Sequence, residues 1–188
     1  MITVVSGLPR SGTSLIMQML EKGGLELLTD NVRKADESNP RGYFEYEKVK
    51  TLQRVASWLA EADGKAVKII AQLLKYLPHT YDYKVIFIER NIDEVLQSQE
   101  KMLNTLGRKP QSNNDILAKT FRRQITDTKK WFEGQHNISA LFISYNDAIF
   151  QQKKIAEDIN TFLGLDLNID AMENAVDRSL YRQHTKKK

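Results

Sequence analysis

The sequence predicts an α/β fold in which helices flank a mainly parallel central sheet. Short apolar, β-branched segments of strand length alternate along the chain with longer segments whose apolar residues recur at helical spacing. A glycine-containing turn follows the first of these strands and leads directly into the first helix. Because alternating elements of this kind bury a parallel sheet between helices, a ligand site is expected beyond the carboxyl ends of the strands.

Four segments have the length and composition of buried parallel strands. Residues 2–6 form a β-branched run that ends at Gly7. Residues 66–70, 84–89 and 139–144 are similarly apolar, and 84–89 is the clearest of them. These four segments are expected to build the sheet.

Helices are predicted between and after the strands. One at 13–22 is closed by two glycines, one at 45–62 has apolar residues at helical spacing, and another begins near Ile92 and runs to about 105. A longer helix is predicted around 116–132, and the last ends at Gly164. With no repeat or convincing linker, residues 1–188 are expected to form a single domain, with a basic tail at about 182–188.

Composition and charge exclude several classes of protein. The chain is 41% hydrophobic and 28% charged, as globular domains are, and no apolar stretch is long enough to span a membrane. The absence of cysteine excludes a disulfide scaffold, and no signal peptide is recognised, so a cytoplasmic protein is expected. Four basic residues among the last seven account for the net charge of +4, so no nucleic-acid partner is expected.

The turn after the first strand has the spacing of a phosphate-binding loop. Gly7-Leu-Pro-Arg-Ser-Gly-Thr-Ser14 fits the pattern G-x-x-x-x-G-x-[ST], between a strand and a helix. Backbone N–H groups and a helix N-terminus converge on an anion in such a loop, and Thr13 and Ser14 add hydroxyl donors. An ordinary strand–turn–helix junction is the alternative, and the pattern favours the anion site.

One departure from the nucleoside-triphosphatase loop indicates a different chemistry. That loop has a lysine after its second glycine, whereas this chain has Thr13 there and carries its cation within the loop, at Arg10. Without that lysine the site is poorly built for ATP cleavage. Arg10 could instead face a leaving or transferring anionic group.

A second candidate anion site follows the third strand. Arg90 is expected at the carboxyl end of this strand, and Ser98 two turns into the next helix. Arginine suits a bidentate phosphate contact, so the pair could hold a second phosphate, separate from the first. From the residues alone an equal alternative is that Arg90 pairs with Asp93 or Glu94 and Ser98 lies on the helix surface.

Together the two motifs resemble those of the sulfotransferase family. Residues 9–14 are similar to its 5′-phosphosulfate loop, and Arg90 with a serine eight residues later is similar to its 3′-phosphate motif. The strand at 66–70 resembles the one that carries the family's second catalytic lysine, and the segment that begins Ser144-Tyr145 resembles an element whose tyrosine lies near the adenine. The resemblance extends from residue 2 to about 165 and is closest to compact bacterial members.

The resemblance implies a three-layer P-loop fold and a reaction that needs no metal. The co-substrate would be 3′-phosphoadenosine-5′-phosphosulfate (PAPS), whose sulfuryl group passes to a hydroxyl or amine of a small-molecule or peptide acceptor. Arg10 and Lys68 would stabilise charge on the transferring group, although without the resemblance Lys68 would be interpreted as a strand lysine that faces solvent. The residues expected to bind the cofactor are Pro9, Arg10, Ser11, Gly12, Thr13, Ser14, Arg90, Ser98 and Tyr145.

The chain departs from the cytosolic members of the family at two points. Where they have a histidine two residues after the second lysine, this chain has Ile70, and nothing in it matches their C-terminal Gly-x-x-Gly-x-x-Lys segment. The general base is therefore sought among carboxylates of the polar stretch at 30–45. Glu45 is the first candidate, unless it merely opens the next helix, and its competitors are Asp30, Asp36 and Glu37.

Two other functions stay open at this point. A P-loop kinase of small metabolites would share the fold and the anion loop, but its loop would call for a lysine in place of Thr13. A non-catalytic nucleotide-binding protein of the same fold would explain the missing histidine and the missing C-terminal segment.

Overall fold

The structure, a computed structural model, describes residues 1–30, 32–36, 39–105, 107–108 and 113–181. The basic tail predicted at about 182–188 and the candidate base Glu37 lie outside the described residues. Within those ranges the structure contains no helix that is both long enough and apolar enough to cross a membrane.

Four parallel strands form the central sheet. They are β1 (Ile2–Gly7), β2 (Ala66–Lys68), β3 (Tyr83–Glu89) and β4 (Ile138–Ser144), and they lie in the order β2-β1-β3-β4. Every pairing between them is parallel, so all four strands begin at the same end of the sheet and the chain must cross back to that end before each new strand. The predicted α/β class, with helices around a parallel sheet, is confirmed.

The α-helices of the described ranges follow the predicted order. They are α1 (Thr13–Lys22), α2 (Ile92–Thr105), α3 (Asn114–Glu133), α4 (Tyr145–Phe150), α5 (Gln152–Leu163) and α6 (Ile169–Asn174). Gly164 ends α5 in a left-handed conformation with φ of 64°, the helix end that its sequence predicts. The short helices α4 and α6 were not predicted, and each is capped by the side chain before it, Ser144 or Asn168.

The α-helix predicted at 45–62 is wrong. That stretch holds two short 3₁₀ helices, Glu47–Thr51 and Ser57–Ala62. Most of its apolar residues are buried as expected, but Val55 is 50% exposed. Apolar residues three positions apart suit a 3₁₀ helix as well as an α-helix, so their spacing did not distinguish the two.

The second strand is shorter than predicted. It ends at Lys68 rather than at residue 70, and a further 3₁₀ helix begins at Ala71. Ile69 still donates a backbone hydrogen bond to Val5, whereas Ile70 is 41% exposed. The predicted strand therefore stops where the chain turns away from the sheet.

The core lies on both faces of the sheet, and this arrangement fixes the place of the site. Ile86 and Ile88 of β3 pack with α1, α5 and α6, whereas Val85 and Phe87 pack with the 3₁₀ helices and α3 on the opposite face. This alternation is the period of a strand. At the carboxyl edge Gly7 pairs with Ile88, so the loop after β1 lies beside the residues that follow β3.

Candidate functional site

The chain after β1 turns sharply at the carboxyl edge of the sheet. Arg10 and Gly12 have φ angles of 69° and 109°, and α1 begins at Thr13. A side chain at Gly12 would be blocked as well as strained, because its Cβ would lie 2.4 Å from Cδ2 of Tyr145. Gly12, Thr13 and Ser14, at the start of α1, line a cleft. The unpaired N–H groups at a helix N-terminus favour the binding of an anion there.

Most of the predicted site residues meet in this cleft of about 280 Å³. It is lined by Pro9, Arg10, Gly12, Thr13, Ser14, Glu45, Lys68, Arg90, Ser98 and Tyr145, among others. Ser11 lies behind the cleft wall at 1% exposure, and its hydroxyl has no hydrogen-bond partner among the described residues. Asp30 accepts hydrogen bonds from the backbone of Val32 and Glu47, outside the cleft lining.

Arg10 is held between two elements. Its Nε donates a hydrogen bond of 3.0 Å to Oγ of Ser98 on α2, and its guanidinium also bonds to the Tyr43 side chain. Burial lowers the pKa of Arg10, which still leaves this side chain a cation at neutral pH. The loop cation is therefore fixed at the cleft wall, and Ser98 is buried rather than on the helix surface.

Lys68 reaches the cleft from the end of β2. Its side chain is 8% exposed, so the alternative that it faces solvent is wrong. Its Nζ donates to the backbone carbonyl of Tyr43 and lies 3.5 Å from Oγ of Ser14 and 3.7 Å from Oε1 of Glu45. Burial lowers the pKa of Lys68 to about 8, and the Glu45 carboxylate opposes this effect.

Glu45 lies opposite Lys68 and is tied to a second cation. Its Oε1 accepts a hydrogen bond of 3.0 Å from Nη1 of Arg33, whose guanidinium stacks 3.4 Å above the ring of Tyr43. The residue precedes the 3₁₀ helix rather than opening an α-helix, so the predicted alternative role as a helix N-terminal acid does not apply. Glu45 is part of a charged cluster at the cleft.

Arg90 joins the end of β3 to the loop. Its Nε makes a buried ion pair of 3.0 Å with Oε2 of Glu94, and its Nη1 donates to the Arg10 carbonyl at 3.4 Å. The guanidinium also lies 4.2 Å from the centre of the Tyr145 ring. Arg90 therefore pairs with Glu94, as one sequence interpretation predicted, and lies beside the anion loop, where the other placed it. Its binding of a phosphate stays a prediction.

Several residues at the cleft were missed by sequence reasoning. Tyr43 is 4% exposed and makes contacts with three charged side chains. Residues 175–181 fold over one side of the cleft, with Asp177 and Leu180 in its lining. The turn residues Pro40 and Gly42 beside Tyr43 could have drawn attention to the first, whereas no motif marks the second.

The charge of the cleft suits a polyanionic ligand. Among the described residues its lining carries five cationic side chains and two carboxylates. The cations are Arg10, Arg33, Lys68, Arg90 and Lys101, and the carboxylates are Glu45 and Asp177. This excess of positive charge and the helix N-terminus suit a ligand with more than one anionic group.

Comparison with known proteins identifies the family of this chain. The sequence matches the family model for the sulfotransferase domain over residues 2–188. No curated protein matches it in sequence. These findings concern the sequence, and solved structures provide an independent comparison of the fold.

Two of the solved structures that are similar to this chain are sulfotransferases. Mouse sulfotransferase SULT7A1 complexed with PAP is 21% identical with a TM-score of 0.54, and the match covers 95% of this chain and 63% of the mouse protein. The chain therefore spans less than two thirds of that protein's length. The sulfotransferase domain from the curacin biosynthetic pathway is 11% identical with a TM-score of 0.53, with coverage of 100% and 92%. At these identities the likeness shows the fold.

Proposed function

This chain belongs to the sulfotransferase domain family, and we propose that it transfers a sulfuryl group from PAPS to a hydroxyl or amine of an acceptor. The observation that carries the proposal is the meeting of the loop at 9–14, Lys68 and Arg90 in one cleft. A single phosphate would need only one of these anion sites. Two sites suit a nucleotide with anionic groups at both its 5′ and 3′ positions.

Two groups of residues would hold the nucleotide. The N–H groups at the start of α1, with the hydroxyls of Thr13 and Ser14, would bind the 5′-phosphosulfate. Arg90 and Ser98 would bind the 3′-phosphate, and the ring of Tyr145 would contact the adenine. Arg90 would then share its donors between the phosphate and Glu94, while Ser98 would exchange its contact with Arg10 for one with the phosphate.

When bound, PAPS supplies an activated sulfuryl group, whose bond to the 5′-phosphate breaks as the acceptor oxygen or nitrogen bonds to sulfur. Arg10 and Lys68 would stabilise the negative charge that grows on the surrounding oxygens. At neutral pH Lys68 is mostly protonated, since its pKa is about 8. In this proposal cationic side chains neutralise the charge, so the reaction requires no metal.

Glu45 is the proposed acceptor of the proton that the attacking group loses. Both of its ion pairs, with Arg33 and Lys68, fall on Oε1, which leaves Oε2 to take the proton. The side chain is 27% exposed and lines the cleft, so an acceptor can approach it. Ile70, in the place where cytosolic members have histidine, lines the same cleft but cannot accept a proton.

The transfer reaction is tested directly with PAPS that carries a labelled sulfate. The protein is incubated with phenols, alcohols, sugars and tyrosine-containing peptides, and labelled sulfate esters and 3′-phosphoadenosine-5′-phosphate are measured together. Transfer to one class with equal amounts of both products supports the proposal. Tight binding of 3′-phosphoadenosine-5′-phosphate without transfer would support the non-catalytic alternative. Phosphate transfer from ATP·Mg²⁺ instead would support the kinase, which Thr13 disfavours.

A further inference from the structure

Tyr43 lies in a strained turn that faces the cleft. Gly42 before it has φ of 94°. Phe44 after it has φ of 51°, a left-handed backbone conformation that residues other than glycine rarely adopt. Among the described non-glycine residues only Arg10, which lines the same cleft as Tyr43, shares this conformation. Surrounding contacts must hold such a turn in place, and they point to a role beyond filling space.

The backbone carbonyl of Tyr43 is the first of its polar contacts. It accepts hydrogen bonds from Nζ of Lys68 and, at 3.4 Å, from Oγ of Ser14. A carbonyl that faces an ammonium group favours the charged form of the lysine. The turn therefore points the Tyr43 carbonyl, a hydrogen-bond acceptor, at Lys68, one of the two cations that would stabilise the transferring group.

The side chain of Tyr43 holds the second cation. Its hydroxyl donates to the Asp36 carboxylate at 2.7–2.8 Å and hydrogen-bonds the Arg10 side chain. The hydroxyl thus links a carboxylate to the loop arginine. At the same time Arg33 covers the face of the ring at 3.4 Å, and the residue as a whole is 4% exposed.

We propose that Tyr43 is a positioning residue that sets Arg10 through its hydroxyl and Lys68 through its carbonyl. The inference rests on the proposed function, because these two cations matter only if charge develops between them. Both side chains are long and lose conformational freedom when they are held in one place. By fixing them before the reaction, Tyr43 would keep two donors aimed at the same group.

The side-chain half of the proposal is tested with Tyr43→Phe, which keeps the ring and the carbonyl. We expect turnover to fall about 10- to 100-fold, while affinity for 3′-phosphoadenosine-5′-phosphate changes by about twofold or less. In the nucleotide-free protein, phenylglyoxal should modify Arg10 faster than in the wild type, because the guanidinium has lost a partner. Mass spectrometry reports this rate for Arg10 and, as an internal reference, for Arg90.

The backbone half is tested with Gly42→Ala. The added Cβ would meet no atom within 4 Å, so the change acts through the φ angle alone and shifts the Tyr43 carbonyl. Lys68 should then lose its proton at a lower pH. The pH dependence of Lys68 acylation by acetic anhydride, followed by mass spectrometry in the nucleotide-free protein, measures this shift.

Tyr83→Phe is the matched control. Tyr83 is similarly buried, and its hydroxyl donates to the Pro78 carbonyl at 3.1 Å. It lies at the amino end of β3, however, whereas the cleft lies at the carboxyl ends of the strands. A purely structural role for Tyr43 predicts that both tyrosine variants lower stability and leave the Arg10 reaction rate and turnover unchanged, which would overturn the proposal. If the wild type binds no 3′-phosphoadenosine-5′-phosphate, the proposed function fails, while the two modification rates still decide whether Tyr43 holds Arg10 and Lys68.

Discussion

Lys68 carries a charge in a place that water hardly reaches. Its side chain is 8% exposed, and burial lowers its pKa from 10.5 to about 8 despite the nearby Glu45 carboxylate. The proposed role needs the protonated form. Across the pH range where enzymes are usually assayed, this one group would therefore lose the charge on which the reaction depends.

We predict that kcat/KM for PAPS falls as pH rises through about 8, since this parameter reports the free enzyme and Lys68 releases its proton there. Lys68→Arg should keep the charge at every accessible pH and remove the fall, though with a lower plateau because the guanidinium has a different shape. Measuring kcat/KM for both proteins from about pH 6 to about pH 10, a range that includes the shifted pKa of Lys68, tests this prediction. A fall that persists in Lys68→Arg would assign it to another group.

The same shift makes a prediction about stability. The unfolded chain holds the Lys68 proton up to about 10.5, whereas the folded chain releases it near 8, so the contribution of this group to the free energy of unfolding rises between these values. Chemical denaturation of the wild type and of Lys68→Met across this window should differ in slope. Equal slopes would contradict the burial of the charge.

Glu45 is the residue on which the proposed proton transfer depends. Glu45→Gln keeps the size of the side chain and removes its basicity, so we predict a loss of about a hundredfold or more in turnover with nucleotide affinity retained. In this variant Lys68 should also release its proton at a lower pH than in the wild type, because the Glu45 carboxylate raises the pKa of that lysine. Glu47→Gln is the control, since its carboxylate pairs with exposed Lys50 outside the cleft. A rate near wild type in Glu45→Gln would direct the search to Asp36, whose carboxylate meets the Tyr43 hydroxyl.

For the individual site residues, the sequence predicted which of them lie together but not which hydrogen bonds and ion pairs they form with one another. Arg90 and Ser98 were expected to share a phosphate, and both line the cleft, yet Ser98 bonds to Arg10 and Arg90 to Glu94. Tyr43 was not expected to organise the cations. Pairings of this kind depend on side-chain directions across three separate elements, and no local spacing rule contains that information.

At the scale of elements, two segments that are far apart in sequence close the cleft together. Arg41 donates hydrogen bonds of 2.5 Å to the Ala175 carbonyl and 3.0 Å to Oδ2 of Asp177. Further along, the Tyr181 hydroxyl donates to Oε1 of Glu94, the partner of Arg90. Residues 175–181 thereby connect the wall at 39–45 with α2, across the place proposed for the nucleotide.

We predict that Arg41→Ala speeds the release of 3′-phosphoadenosine-5′-phosphate about three- to thirtyfold, because affinity changes within one site fall mainly on the dissociation rate. Stability should change by about 1 kcal/mol or less, since the Arg41 side chain is 39% exposed and its ion pair lies at the surface. Stopped-flow displacement measures the release rate. Arg54→Ala, at another exposed arginine outside the cleft lining, serves as the control. An unchanged release rate in Arg41→Ala would mean that this contact does not restrain the nucleotide.

The elements that the sequence predicted well are those with strong local signals. The first helix has the predicted bounds, because a glycine-rich turn and a glycine pair delimit it. The α-helix predicted at 45–62 was wrong because two 3₁₀ helices bury most of the apolar residues that one α-helix would bury there. The C-terminal segment 175–181 could not be assigned to the site, since the contacts by which it closes the cleft join it to Arg41 and Glu94, which lie more than eighty positions away.

For the molecule as a whole, the parallel sheet is what gathers the site. β1, β2 and β3 end at the same edge, so the loop cation, Lys68 and Arg90 come together although they are far apart in sequence. This could be predicted from the strands alone once β1 and β3 were taken as neighbours. We propose that the chain acts as one domain, because residues from β1 and β3 contribute to the core clusters on both faces of the sheet.

The nucleotide should stabilise this whole assembly and not only the cleft. A ligand that binds only the folded state at about a hundred times its Kd adds about 2.7 kcal/mol, which for a chain of this length corresponds to a rise in Tm of about 5–10 °C. We predict this rise for 3′-phosphoadenosine-5′-phosphate, and less than half of it for ATP·Mg²⁺ at the same concentration, since Thr13 replaces the lysine that binds its phosphates.

Arg90→Ala should lower the rise in Tm to that given by adenosine 5′-phosphate, because the 3′-phosphate then lacks its cation. Added salt should also lower the rise in the wild type. Equal stabilisation by ATP·Mg²⁺, or a rise that Arg90→Ala leaves intact, would contradict the assignment of two separate anion sites to one 3′-phosphorylated nucleotide.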